Sequence, residues 1–305
     1  MAPMLDRVSD RLQMKCPSCG SELGDFPSIK SASVQCSLCK YKLFWDGTCW
    51  DACADKSYPR DFARQWVLWE AGKLGDPKLV YGNEPERYFE TFLKHTSLRP
   101  EDLSSKKILE VGFGHGRLLR QIQQHCTTAY GLDLSKPLPS AHLRPGSAIF
   151  GNLFSIPFAP HQFDLIICRG VVHCTPNPRK AFACLAEQVS DKGSLYMGGL
   201  YEPGKGNLVI RKIFPGLWNY PEPVRLWLAG VSSMVRSGIE CLRERKFGLG
   251  SFMRHYNHYK LDMFDVICPR WTCILEEAEI LGWYREQAFL ANKVGYGDYL
   301  GVRSC

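Results

Sequence analysis

The clearest pattern along the chain is a short apolar run that gives way to glycines and then to a helical rhythm. Ile108, Leu109 and Val111 predict a buried strand, and Leu118, Leu119 and Ile122 fall at helical spacing within residues 117–126. Further elements follow in alternation: strands at 127–132, 147–150, 163–168 and 194–200, with a helix at 179–189 ahead of the Asp191-Lys192-Gly193 turn. A helix at 272–281 closed by Gly282 and two strands at 286–290 and 296–303 complete the series. Strand and helix in turn predict an α/β fold, a parallel sheet covered by helices on both faces. Residues 201–260 interrupt it as an insertion, where Val224, Trp227, Leu228, Val231, Met234 and Val235 predict a helix with one apolar face.

Gly112, Gly114 and Gly116 lie in the turn after the first of these strands, where glycine lets backbone approach a ligand closely. A dinucleotide site would read G-x-G-x-x-G and seat a pyrophosphate on the helix N-terminus. Here the pattern is Glu-x-Gly-x-Gly-x-Gly, and Glu110 would repel a pyrophosphate while suiting a cationic amino group. Asp133 ends the next strand, where a carboxylate can accept hydrogen bonds from a ribose diol. Glu110 and Asp133 together describe a nucleoside that carries an amino acid; a lone glycine turn would be only a tight connection.

With GNLFSIPF at 151–158 and FDLIICRGVVHCTPNP at 163–178, residues 85–200 resemble the class I S-adenosylmethionine-dependent methyltransferases, of the type 11-like group that acts mostly on small molecules. The resemblance implies a Rossmann-like sheet of seven strands ending in an antiparallel hairpin. It also implies that Glu110, Gly112, Gly114 and Gly116 hold the methionine part of the cofactor, Asp133 the ribose, and Asn152 with Leu153 the adenine. Leu134 and Arg169 complete the expected cofactor set at the carboxyl ends of the strands. Most relatives have Asp where Asn152 stands, although an Asn can still offer a carbonyl oxygen to the adenine amino group. Residues 61–69, DFARQWVLW, resemble the segment ahead of the catalytic domain in zinc-ribbon-bearing relatives, which makes Arg64, Gln65 and Trp66 candidates for covering the cofactor or simply parts of an amphipathic helix.

Cysteine usage adds a second site. Cys16, Cys19, Cys36 and Cys39 form C-x2-C, sixteen residues, C-x2-C, the spacing of a structural four-cysteine zinc ribbon. Four thiolates leave no open position for substrate, so a catalytic zinc is not expected. The domain plan that follows is a ribbon at 1–50 with its last strand at 41–46, a connector at 51–84 packed on the main domain, and a catalytic domain at 85–305 with a lid at 201–260. Cys126, Cys168, Cys184 and Cys241 read as small buried hydrophobes, and Cys49 and Cys53 are weak candidates for metal ligation.

Composition narrows the function. The 305 residues are 45% hydrophobic, an ordinary globular figure, and no stretch has the length of a membrane span or a signal peptide, so the expectation is a cytoplasmic protein without a membrane partner. Of a net charge of +7, six charges fall in residues 201–260, which hold ten Lys/Arg against four Asp/Glu and nine aromatic residues. That balance suits a small anionic metabolite drawn under a lid. The alternative is a ribosomal RNA base methyltransferase, in which ribbon and insertion grip phosphates. His173, Asp265 and Arg270 are the catalytic candidates, the last two within DVICPR, a stretch resembling the D-x-x-x-P-R of related enzymes; Arg270 would bind a substrate carboxylate or pair with Asp265. His255, Tyr256, His258 and Tyr259 form a further polar aromatic cluster, and Arg254 with Arg270 are the cations expected to point inward.

Overall fold

A computed structural model describes residues 12–55, 61–79, 84–201 and 209–304. Residues 1–11, parts of the connector (56–60 and 80–83) and the start of the insertion (202–208) lie outside the described residues, as does residue 305. The chain begins with five short strands, β1 (Gln13–Lys15), β2 (Glu22–Asp25), β3 (Ser33–Gln35), β4 (Lys42–Trp45) and β5 (Trp50–Asp51), then α1 (Asp61–Glu70) and α2 (Pro85–Thr96). The alternating part follows as β6 (Ile108–Val111), α3 (Arg117–Gln123), β7 (Ala129–Asp133), β8 (Ala148–Phe150), β9 (Phe163–Arg169), α4 (Pro178–Gln188) and β10 (Val189–Gly198). The insertion contributes α5 (Val209–Ile213), α6 (Glu222–Glu244) and α7 (Leu249–Ile267), and the chain closes with α8 (Glu277–Glu286), β11 (Phe289–Gly295) and β12 (Asp298–Arg303).

The main sheet runs β11-β12-β10-β9-β6-β7-β8-β5-β4-β3. Its central pairs are parallel, and β12 is antiparallel to both β10 and β11. The seven expected strands are present, but among the described residues the sheet has ten. The ribbon strands extend it, because β5 pairs in parallel with β8, Trp50 opposite Ile149, and β4 and β3 follow in antiparallel order. The strand expected to end the ribbon is therefore not its last; β5 lies beyond it. On the same side β1 bridges to the main domain, Lys15 N–H donating to Pro157 O and Ala159 N–H to Gln13 O.

Burial explains why the chain takes this form. All four residues of β6 are buried, as a strand covered on both faces requires. Leu109 and Val111 join one core, with Met14, Leu43, Trp50, Ile166 and Tyr284, while Ile108 joins another, with Leu165, Ile167, Leu119 and Phe92. Met14, Leu43 and Trp50 thus place the ribbon inside the catalytic core. A unit that small has too little apolar surface to fold on burial alone, and here it borrows the sheet's.

Two boundaries differ from expectation. The penultimate segment becomes helical at Glu277, not at Thr272, because the preceding residues use their N–H groups elsewhere: Cys273 donates to His173 O and Leu275 to Tyr201 O, both at 2.8 Å. Gly282 lies inside α8 instead of closing it, with open space where a Cβ would stand. The turn comes at Gln287 and Ala288, the latter at φ 60, so β11 begins three residues later than predicted.

In the insertion the long helix is present, but its apolar face is not the buried one. Leu228, Ala229, Gly230, Ser233, Ser237 and Cys241 are buried, whereas Val224, Trp227, Val231, Met234 and Val235 are exposed. Small residues let α6 lie close to α7, and closeness rather than side-chain size decided which face turned in. The insertion also runs past residue 260, since α7 continues to Ile267.

Candidate functional site

A cavity of about 670 Å³ opens over the carboxyl ends of β6, β7 and β9, the place where open α/β sheets bind ligands. The glycine turn forms its floor. Gly112 has φ 79, and a Cβ there would meet Val171 Cγ2 at 2.1 Å; Gly114 has φ 52, and a Cβ would meet the Trp66 indole at 2.8 Å. Both positions are closed to other residues by backbone conformation and by space. Trp66 of α1 therefore rests on the loop, among Trp69 and His115 at ring distances of 6.1 and 5.0 Å. The connector is tied down there as well, Arg117 lying over the Trp69 ring and donating to Lys78 O.

Strand register sets the charged groups. Glu110 pairs with Ile167, and Arg169 stands two residues further along β9 on the same face. Glu110 is 5% exposed, and burial pushes its carboxyl up to about 8 against the opposing pull of Arg169. Glu110 Oε2 and Arg169 Nη1 are both buried atoms without a hydrogen-bond partner among the described residues. Asp133 is held differently: Oδ2 accepts from Gly114 N–H at 2.7 Å, and Oδ1 from the Ser135 N–H and hydroxyl at 2.7 and 2.5 Å. Burial raises the Asp133 carboxyl while these hydrogen bonds draw it down. The Asp133 carboxylate is thus held in place by the backbone of the glycine turn and by Ser135. Burial holds the His115 imidazole down to about 3, so the ring beside the loop is neutral.

Of the expected cofactor residues, Glu110, Gly112, Gly114, Asp133, Leu134, Leu153 and Arg169 line the cavity. Gly116 stands behind the loop as the N-cap of α3, at φ 75. Asn152 does not line the cavity; its Oδ1 caps the turn after β8 by accepting from Phe154 N–H at 3.0 Å. Its neighbours Gly151 and Leu153 form that wall instead.

The catalytic candidates also gather here. His173 is 1% exposed, with the Tyr201 ring 4.2 Å away. Asp265 of α7 accepts from Gln65 Nε2 at 3.0 Å and from the Tyr201 hydroxyl at 3.5 Å, and Arg270 stands at the cavity edge over the Trp271 ring. Burial keeps the Tyr201 hydroxyl protonated far above its usual range. The insertion adds Arg236, His258, Tyr259 and Asp262 to the lining, with Arg236 paired to Asp262 at 3.4 Å and lying over the Tyr259 ring. Arg254, expected to point inward, is exposed and lies outside the cavity. Sequence reasoning missed Tyr88 and Arg236, neither of which carried a local signal, and had Tyr201 only as one of the insertion's nine aromatic residues.

The second site is the cysteine group. The sulfurs of Cys16, Cys19, Cys36 and Cys39 lie within 4.8 Å of one another, with Cys16–Cys39 at 3.5 Å and Cys19–Cys36 at 3.7 Å. Tetrahedral thiolates around zinc stand about 3.8 Å apart, from a Zn–S length of about 2.3 Å, so the cluster has the right size. Each pair ends in a tight knuckle, Gly20 N–H donating to Cys16 O and Lys40 N–H to Cys36 O, with Gly20 at φ 77 and Lys40 at φ 63. Cys49 and Cys53 are buried elsewhere and belong to no such group among the described residues.

Residues 109–197 match the family model described as a methyltransferase domain. The ubiquinone biosynthesis O-methyltransferase of Escherichia fergusonii is 28% identical over 125 residues, 38% of this chain and 52% of that protein. The phthiotriol/phenolphthiotriol dimycocerosates methyltransferase of Mycobacterium tuberculosis is 30% identical over 115 residues, 35% of this chain and 42% of that protein. The chain spans about half the length of the curated relatives it matches. Among solved structures, magnesium protoporphyrin IX methyltransferase from Synechocystis, with bound SAH, aligns over 82% of this chain and 100% of its own at 16% identity and a TM-score of 0.46. Residues 109–197 thus match a methyltransferase domain, and the sheet around them has the class I S-adenosylmethionine-dependent methyltransferase fold, with four cysteines gathered toward the N-terminal end of the described residues.

Proposed function

We propose that the protein transfers a methyl group from S-adenosylmethionine to a small organic molecule that carries a negative charge. One observation carries this reading: the buried, partnerless Glu110 Oε2 and Arg169 Nη1 project from neighbouring strands on one face of the sheet, beside the glycine turn. An amino acid zwitterion complements that pair, its ammonium on Glu110 and its carboxylate on Arg169, while a pyrophosphate would meet Glu110 with like charge. Asp133 would accept from a ribose hydroxyl, and Leu134 and Leu153 would flank the base.

When bound, the cofactor supplies an electrophilic methyl group on a sulfonium. The chain's own residues align the acceptor and keep water away. Trp66 closes the loop side of the cavity, and α6 and α7 close the other. Arg270 at the cavity edge is the cation offered to an anionic acceptor, Arg236 being paired with Asp262. Asp265, with the Tyr201 hydroxyl beside it, stands where a proton from the acceptor would be received, and His173 fixes the Tyr201 ring by packing against it. The relatives' names, ubiquinone biosynthesis and phthiotriol dimycocerosates, favour an organic acceptor over the ribosomal RNA alternative. We further assign Cys16, Cys19, Cys36 and Cys39 a structural zinc, on the strength of their spacing.

The test incubates the full chain with methyl-labelled cofactor and a cell extract separated into protein, RNA and small-molecule pools. Label in the anionic small-molecule fraction, with a raised KM in Arg270→Ala, is the expected result. Label in RNA would overturn the acceptor class, and failure of calorimetry to detect cofactor binding would overturn the whole reading.

A further inference from the structure

Helix α6 turns an apolar stripe outward. Trp227, Val231, Val235, Ile239 and Leu242 recur every three or four residues, with Met234 beside them, over 16 residues of the helix, a length of about 24 Å. Every one is exposed, Trp227 at 64% and Leu242 at 63%, and the stripe continues over the turn into α7 with Phe247 at 75% and Leu249 at 79%. The same tip carries Arg243, Arg245, Lys246 and Arg254, all exposed, against one acid between residues 242 and 254, Glu244. Contiguous apolar surface of this extent marks an interaction site.

We propose that this face of α6, with the α6–α7 tip, rests on the surface of an anionic lipid bilayer. Charge and apolarity together select that occupant. Aliphatic and aromatic side chains enter the acyl boundary, while basic residues at the same level meet lipid phosphates. A second copy of the chain would present the same excess of positive charge at its own tip and be repelled there. Nucleic acid would satisfy the cations and leave the stripe in water. The contact is a surface one, since among the described residues no helix is long and apolar enough to cross a membrane. It replaces the expectation of no membrane partner, and it stands independently of the proposed reaction. Arg236 lines the cavity one residue from exposed Val235, so the helix that meets lipid also walls the site.

The experiment floats the full chain with vesicles of phosphatidylcholine alone and of equal parts phosphatidylcholine and phosphatidylglycerol. Binding to the mixed vesicles, about tenfold weaker to pure phosphatidylcholine and weakened by salt, is expected. Trp227→Glu/Val235→Glu abolishes it, and Arg245→Glu/Lys246→Glu reduces it about tenfold, while melting temperature and calorimetric binding of S-adenosylmethionine stay at the wild-type values. The proposal is overturned if wild type stays out of the anionic vesicle fraction, or if the Trp227→Glu/Val235→Glu protein floats undiminished. It is overturned equally if sedimentation reveals a dimer that this variant dissolves and lipid binds neither form.

Discussion

The glycine-turn half of the molecule and the two-helix half obey different packing rules, although both announce themselves by the same apolar periodicity. Around β6 and α3 the large apolar residues went inward, Leu118, Leu119 and Ile122 against the sheet. In α6 most of them stayed outside, Leu228 excepted, and Ala229, Gly230, Ser233 and Ser237 were buried in their place. A sheet covered by helices offers a broad apolar surface, so size wins there. Between two helices the close approach of backbones wins, and Ser233 and Ser237 satisfy their hydroxyls within the helix by donating to Ala229 O and Ser233 O at 2.6 Å.

The strongest way to break this contrast is at Gly114. Gly114→Arg, at φ 52 beneath Trp66, should abolish cofactor binding in calorimetry while the far-ultraviolet dichroism of α6 and α7 persists. Loss of helicity as well would mean that the two halves fold as one packing unit. Asp133→Ala comes next: removal of its carboxylate frees Gly114 N–H and takes away the proposed ribose contact together, and cofactor affinity should fall about tenfold to a hundredfold. Wild-type affinity in that variant would remove Asp133 from the site.

Within the two-helix half, Ser237→Leu should lower stability by about 1–3 kcal/mol through overpacking, whereas Val235→Ser on the outer face should change it by no more than about 0.5 kcal/mol. Chemical denaturation separates the two, and equal effects would show that the small-residue face is not the packed one. The smallest effect is a pH dependence. Burial pushes the Glu110 pKa in the folded chain up to about 8, above the ordinary carboxylate value of 4.5. Between those values the folded state holds a proton that the unfolded state has lost, so this group's contribution to stability falls as pH rises through that window. A cationic amino group favours the ionised form, so cofactor binding at neutral pH should release a proton and tighten as pH approaches 8. Calorimetry in buffers of different ionisation enthalpy reads that proton, and Glu110→Gln should remove it.

Much of the cofactor half was legible because its constraints are local. A strand, an acid, three spaced glycines and a second acid occupy 26 consecutive residues, 108–133, and each limits its own backbone or charge. Asn152 escaped because its role depends on the turn it caps, which only the described backbone reveals. The start of α8 escaped for a similar reason: Cys273 and Leu275 spend their N–H groups on residues 100 and 74 positions earlier, His173 and Tyr201. The outward stripe of α6 escaped because periodicity tells which residues share a face and says nothing of what that face meets.

The pairing of β5 with β8 has a consequence for the order of assembly. Trp50 sits opposite Ile149, and Met14 bridges to Phe158, so the first strands of the chain find their partners only after about half of it has been made. Pairings between such distant positions are slow to form and leave edges exposed meanwhile. On the ribosome the cysteine knuckles emerge long before β8, and the zinc proposed for them, if bound at that stage, would keep the early segment compact until its neighbour arrives.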